Sequence, residues 1–139
     1  MSKRSCNIIL GIVALVLGGL LYILFRPDTY LSGLFCRISL FRQLAVAAKP
    51  CSNDFIKYYL QDFLWALSLS CFLNAVIGSS RFQSAMCCNI AFVCGCVWEF
   101  LQKMDIVSGF FDLTDILMYL LASAVCFLMN LRRENYEQI

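Results

Sequence analysis

Residues 6–25 read CNIILGIVALVLGGLLYILF, twenty consecutive residues without a charged side chain. A bilayer core about 30 Å thick needs roughly 20 apolar residues in a helix, so this stretch is long enough to cross it. Gly11, Ala14 and Gly18 recur at helical spacing, which is typical of a helix face that packs closely on another helix in lipid. The stretch ends without small residues at a cleavage site, so we interpret it as a retained signal anchor.

The composition of the whole chain agrees with this interpretation. Of the 139 residues, 61% are hydrophobic and 14% are charged, against about 45–50% and about 25% in average soluble domains. Disorder is excluded, because it requires low hydrophobicity and high charge. A net charge of +2 without a basic block argues against a nucleic-acid partner. The chain has no histidine, which excludes Ser-His-Asp and Cys-His catalysis and His-ligated zinc.

Three further stretches are long and apolar enough to span a bilayer, at about 58–77, 85–102 and 113–131. Within lipid every backbone N–H and C=O must be paired inside the segment, so each span is predicted to be a helix. The sequence therefore predicts an all-α integral membrane protein, one domain over residues 1–139, with four transmembrane helices.

The long connection between the first two spans has its own pattern. Apolar residues recur there at helical spacing over about 29–48, which predicts an amphipathic helix in the outer membrane interface. The alternatives are a fifth helix packed on the bundle or a shallow re-entrant segment. These apolar residues are Leu31, Leu34, Phe35, Ile38, Phe41, Leu44, Ala45 and Ala48.

Basic residues near the span ends indicate the orientation, because such residues favour the cytoplasm. With four spans, Lys3-Arg4, Arg81 and Arg132-Arg133 fall on one side. Both termini are therefore predicted to be cytoplasmic, and the 104–111 loop is predicted to lie outside.

Five polar side chains then fall at the same, outer membrane face, because consecutive spans alternate in direction. They include four of the nine acidic residues of the chain. Carboxylates in or near the membrane are energetically costly and by default suggest function. The predicted site residues are Asp62, Glu99, Gln102, Asp112 and Asp115.

Three of these carboxylates also suit a purely structural role. Asp112 fits a helix N-cap, and Asp115 and Asp62 lie in early helical turns, where the helix dipole favours negative charge. Glu99 is different, because it lies in the last turn of its span, where the dipole disfavours it. It needs a proton, a cation or a hydrogen-bond donor, and no Lys or Arg lies inside a predicted span.

The last two spans each carry small and polar residues along one helical face. These two faces predict a closely packed helix pair with a polar pocket at its outer end. One face consists of Cys88, Ala91, Gly95, Glu99 and Gln102, and the other of Asp112, Asp115, Tyr119, Ala122 and Cys126.

The pattern Glu99-x-x-Gln102, a short loop and Phe111-Asp112-Leu-Thr-Asp115 resembles the VanZ-like family of small bacterial membrane proteins, over about residues 55–131. The chain has Gly109 where members commonly have Arg, and Tyr119 where they have Asn. Ala122 and Cys126 replace glycines of the family pattern. The resemblance implies a protein of the bacterial cytoplasmic membrane and cell envelope, linked to tolerance of glycopeptide antibiotics, above all teicoplanin.

Three functions remain open from the sequence. The first is a binding protein whose acidic pocket takes a cationic group, a metal, an envelope lipid or a glycopeptide. The second is a membrane enzyme acting on a lipid-linked substrate, with Glu99 as general acid/base near a metal held by Asp112 and Asp115. The third is a structural subunit of a membrane complex. Oxygen ligands without histidine favour Mg²⁺ or Ca²⁺ in a site formed by Glu99, Asp112 and Asp115.

Most of the nine cysteines are predicted to be small apolar packing residues within the spans. Cys36 and Cys51 lie in the outer connection and could pair in an oxidising compartment.

Overall fold

The computed structural model describes residues 2–25, 43, 53, 55, 58–78 and 80–137. Over these residues it contains four helices: α1 (Lys3–Phe25), α2 (Leu60–Val76), α3 (Arg81–Lys103) and α4 (Leu113–Glu137). The all-α prediction is confirmed for this part of the chain. The predicted interfacial helix over 29–48, apart from Gln43, and the cysteines Cys36 and Cys51 lie outside the described residues.

Three of the helices are long and apolar enough to cross a membrane: α1, α3 and residues Leu113–Arg133 of α4. The fourth, α2, is apolar but has only 17 residues, which corresponds to about 26 Å at 1.5 Å per residue. α4 continues beyond the predicted end at 131, because the charges that follow an apolar span do not prevent helix formation.

Local signals at both ends of α3 explain why it is longer than the predicted span 85–102. Ser80 and Gln83 form a capping box, in which the backbone N–H of Gln83 donates to Ser80 Oγ (3.3 Å) and that of Ser80 donates to Gln83 Oε1 (3.2 Å). Both bonds satisfy N–H groups that a helix start leaves unpaired. At the other end Asp105 adopts a left-handed φ of 57°, and the N–H of Ile106 donates to the carbonyl of Leu101 (3.1 Å), which ends the helix in a Schellman motif.

α1 packs antiparallel to α2 along its small residues. Gly11 lies against Phe72, Gly18 lies against Leu64, and Ser68 Oγ donates to the carbonyl of Gly11 (2.9 Å). This bond is the kind of close interhelical contact that glycine permits in a membrane bundle. The small-residue face predicted for the first span is confirmed.

Small and polar residues also form the centre of the bundle, where α2, α3 and α4 meet. Cys71 and Cys126 are buried with their sulfur atoms 3.7 Å apart, and Cys88 belongs to the same core cluster. The Asn74 amide donates to the carbonyl of Ser70 (2.8 Å) and accepts from Ser84 Oγ (2.6 Å). The predicted packing role of cysteine is confirmed at these three positions.

A second polar contact joins α1 to α4 near the N-terminus of α1. The Asn7 amide donates to Asn130 Oδ1 (2.9 Å), and both side chains are fully buried. Arg133 Nη1 donates to Asn7 Oδ1 (3.1 Å), and the Asn130 amide donates to the carbonyl of Cys126 (2.9 Å). Buried amides are therefore paired at this end of the bundle, as a low-dielectric environment requires.

Candidate functional site

A cavity of about 1180 Å³ extends into the bundle from the end where α2 and α4 begin and α3 ends. α1 packs along α2, while α3 packs along α2 and α4, and all four helices contribute residues to the cavity wall. All five polar residues predicted from the sequence line this one cavity: Asp62, Glu99, Gln102, Asp112 and Asp115.

Glu99 is the most deeply buried of the five, with 1% of its surface exposed. Tyr119 Oη donates to Glu99 Oε1 (3.1 Å), and the backbone N–H of Asp112 donates to Oε2 (3.2 Å). The sequence required a proton, a cation or a donor for this carboxyl group, and the start of α4 supplies two donors. Glu99 therefore fastens the end of α3 to the beginning of α4.

Gln102 extends this network along α3. With the amide oriented by its partners, Nε2 donates to Glu99 Oε2 (3.3 Å) and to the carbonyl of Phe110 (3.1 Å). Its Oε1 accepts from the indole Nε1 of Trp98 (3.0 Å). Gln102 thus ties the loop after α3 to the buried carboxylate.

Two glycines provide the space that this network needs. A methyl group at Gly95 would overlap the ring of Tyr119, so only glycine lets the ring reach Glu99. Gly109 has a φ of 152° and lies against the Gln102 side chain. A side chain at position 109 would be strained in this backbone conformation and would displace the Gln102 amide.

Asp112 is the N-cap of α4, a role that its position in the sequence predicted. Its Oδ1 accepts from the backbone N–H of Thr114 (2.8 Å), which caps the start of α4. Oδ2 accepts from Tyr59 Oη (3.3 Å), which connects the cap to the chain just before α2. The hydrogen bonds from Thr114 lower the pKa of Asp112 most. Together with the hydrogen bond from Tyr59 they hold it below its usual value of 3.8.

Asp62 and Asp115 are half-buried and line the cavity from the first turns of α2 and α4. Both lie within electrostatic reach of the Tyr119 hydroxyl, as Glu99 does. Their negative charges interact favourably with the N-terminal ends of the helix dipoles. The same charges lie along the cavity wall. For these residues the structural role and a ligand-facing role are compatible.

The structure does not bring the carboxylates together as metal ligands. Among the described residues there is no group of three or more His, Cys, Asp or Glu side chains that could hold a metal ion. Glu99 and Asp112 direct their oxygens to protein donors instead. The Mg²⁺ or Ca²⁺ site formed by Glu99, Asp112 and Asp115 stays a prediction without support from this geometry.

Several residues of the cavity wall were not predicted from the sequence. Gln61 is buried beside Asp62, Tyr59 contacts Asp112, and both tryptophans of the chain, Trp65 and Trp98, line the cavity. The four-residue spacing of Gln61 and Trp65 on α2 was the available signal. This spacing shows that the two residues share a face of α2, but it does not show which way that face points, because the rotation of α2 about its axis cannot be read from spacing alone.

Comparison with family models, with curated proteins and with solved structures finds no match for this chain. The site is consequently defined by its own residues: a buried Glu99 network, a capped α4 and a cavity with carboxylates at one end.

Proposed function

We propose that this chain is a VanZ-like protein of the bacterial cytoplasmic membrane that binds a positively charged envelope component at the outer membrane face. The residues that carry the resemblance, Glu99 with Gln102 and Asp112 with Asp115, support the proposal because they line a single cavity. The ligand class is a cation-bearing envelope lipid or glycopeptide, and the link to teicoplanin tolerance follows from the resemblance.

The positions that depart from the family pattern lie inside the same site. Tyr119 supplies a donor to Glu99, and Gly109 leaves the space beside the Gln102 amide. The chain thus holds its acidic group with its own donors, and the acidic character of the cavity is kept despite these replacements.

One observation carries the proposal. Four carboxylates from α2, α3 and the start of α4 line the cavity. Removing several negative charges from water is costly unless a positive charge compensates them. Since each carboxylate has about four lone-pair sites, one that already has a protein donor can still accept from an ammonium group.

The carboxylates divide into two roles. Glu99 and Asp112 use their oxygens to hold the loop and α4 in place, which is the structural part of the site. Asp62 and Asp115 line the cavity from the first turns of two neighbouring helices. Because a carboxylate that already has a partner can still accept from an ammonium group, we assign the ligand ammonium group to these two.

The proposed topology has four spans, with α2 as the second. α2 is shorter than the other helices, but it packs against α1, α3 and α4, so protein surrounds much of its surface. A short apolar helix is accommodated by local thinning of the bilayer at a modest energetic cost.

The experiment compares butylammonium with butan-1-ol on the purified protein in phosphatidylcholine nanodiscs, with sodium chloride as the ionic control. Since a ligand that binds only the folded state raises stability by mass action, we expect the amine alone to raise Tm. The Asp62→Asn/Asp115→Asn variant should lose this shift, and Asp62→Asn alone serves if the double variant does not fold. Equal shifts from amine and alcohol would show that the proposal is wrong.

A further inference from the structure

Two buried serine side chains lie in the middle of the bundle. Ser70 on α2 and Ser123 on α4 have 0% and 5% of their surfaces exposed, and neither Oγ atom has a hydrogen-bond partner among the described residues. In contrast, the buried hydroxyl groups of Ser68 and Ser84 donate to groups on neighbouring helices. A buried hydroxyl group without a partner is energetically costly, so a bound molecule that pairs with both serines would relieve this cost.

The two serines lie at the same depth. α2 and α4 begin side by side, because Tyr59 and Asp112, the residues that precede them, share a hydrogen bond (3.3 Å). Ser70 follows the first residue of α2 by ten positions, and Ser123 follows the first residue of α4 by ten positions. Each serine therefore lies about 15 Å along its helix.

Both side chains lie on faces turned to the centre of the bundle, where α2, α3 and α4 meet. Ser70 shares a helix face with Asn74, four residues further on, and Asn74 bonds to α3 and to Cys126 Sγ of α4 (3.8 Å). Ser123 lies four residues after Tyr119 and three before Cys126, whose side chains contact α3 and α2. The two hydroxyl groups therefore belong to the same central region.

The inner end of the cavity lies one helical turn from each serine. Ala66 is four residues before Ser70, Tyr119 is four residues before Ser123, and both line the cavity. Residues four apart share a helix face, and their separation along the axis is about 6 Å. The cavity also reaches Ala91 of α3. Water that enters the acidic end thus approaches the level of both hydroxyl groups.

We infer that Ser70 and Ser123 bind an internal water molecule between α2 and α4. Internal waters typically make about three hydrogen bonds to buried polar groups, and each serine hydroxyl group can both donate and accept. One water that accepts from the first hydroxyl and donates to the second satisfies both.

A water at this position has a consequence for the acidic site. The neighbouring thiols of Cys71 and Cys126 are only weak hydrogen-bonding groups, so the water supplies the stronger polar link between α2 and α4 at this level. These two helices carry Asp62 and Asp115 in their first turns. The link therefore helps to fix the separation of the two carboxylates. It does not depend on the proposed ammonium site, because the water bonds to neither of them.

Alanine variants test the site through the sign and the coupling of their effects. A water held by both hydroxyl groups loses a partner in Ser70→Ala or in Ser123→Ala, so we expect each variant to lower Tm in phosphatidylcholine nanodiscs. Since the first substitution already releases the water, the double variant should lower Tm by clearly less than the sum of the single shifts. Ser68→Ala combined with Ser123→Ala is the matched control. Ser68 bonds to α1, so these two shifts should add.

Water-edited solid-state NMR on the wild-type protein identifies the ligand directly. In isotope-labelled protein in phosphatidylcholine bilayers, magnetisation from water should reach the Cβ atoms of Ser70 and Ser123 at short mixing times. Ser84 is the control, because it is equally buried but bonds to α2, and it should receive magnetisation more slowly. In Ser123→Ala the transfer to Ser70 should fall.

The remaining outcomes each decide against the water. Additive shifts in Ser70→Ala/Ser123→Ala, or an unchanged or raised Tm in the single variants, would mean that each hydroxyl group bonds to its own helix or to nothing. Coupled shifts without transfer from water would mean that the two hydroxyl groups bond to each other. Coupling that disappears when choline chloride replaces sodium chloride would assign a bound Na⁺ to the site instead.

Discussion

The ring of Tyr119 fills the space that a side chain at Gly95 would occupy. The hydroxyl of the same ring lies 3.1 Å from Oε1 of Glu99, four residues further along the same face of α3. The missing side chain at position 95 therefore determines both how closely α4 approaches α3 and whether the buried carboxylate receives its donor.

Gly95→Ala should consequently destabilise the protein by about 1–3 kcal/mol, the usual range for an overpacked core. The matched control is Gly19→Ala, whose methyl group meets no atom of the described residues within 4 Å. It should be neutral or stabilising, because alanine favours a helix over glycine by about 1 kcal/mol. Denaturant unfolding in detergent micelles measures both. Equal stability of the two variants would contradict the close contact between Gly95 and Tyr119.

Tyr119→Phe and Glu99→Gln should be energetically coupled. Removing the hydroxyl leaves Glu99 with one donor fewer, which costs about 1–3 kcal/mol at a buried site, and we expect the double variant to lose about 0.5–3 kcal/mol less than the sum of the single losses. The free energies of unfolding of the four proteins give the coupling. Tyr119→Phe combined with Asn7→Ala, at the far end of the bundle, is the control and should be additive. Additivity in the first pair as well would mean that the bond contributes nothing.

Asp112 should make stability depend on pH in acid. Because its folded pKa lies below the usual 3.8, its contribution is complete above that value and is lost as the pH falls through the folded pKa. Asp112→Asn still caps α4 but does not titrate, so its unfolding free energy should decline less steeply over this range. Asp112→Ala removes the cap and should lose about 1 kcal/mol near neutral pH. Stability of Asp112→Asn that follows the wild-type acid profile would contradict this role.

The proposed topology puts both termini in the cytoplasm and the 104–111 loop outside. A C-terminal green fluorescent protein should therefore fluoresce in intact cells, while alkaline phosphatase at the same position should be inactive. A protease site inserted after Ser108 should be cut from the outside of intact cells, with an insertion beside Arg81 as the protected control. Cleavage at Arg81 and protection at Ser108 would reverse the orientation.

The periodic features of the fold could be predicted from the sequence because they depend on a single helix. The packed face of Gly11, Ala14 and Gly18 and the need of Glu99 for a partner both follow from spacing and position. The identity of that partner could not, since the bond from Tyr119 depends on the distance between α3 and α4, and the bond from the Asp112 N–H depends on how the intervening loop closes. The tryptophans of the cavity wall were missed for a related reason, because helical periodicity gives relative faces and leaves the rotation of each helix undetermined.

The amide pair of Asn7 and Asn130 constrains that rotation for α1, together with the contacts of Gly11 and Gly18 on α2. Successive residues are about 100° apart around a helix, so turning α1 by one position would carry Asn7 away from Asn130 and break the hydrogen bond between the two buried amides. Gly19 lies twelve residues from Asn7, about 18 Å along the axis. A polar contact at one end of the bundle thus constrains the angular position of the cavity wall near the other end, and a variant such as Asn7→Leu would alter the cavity without touching any residue that lines it.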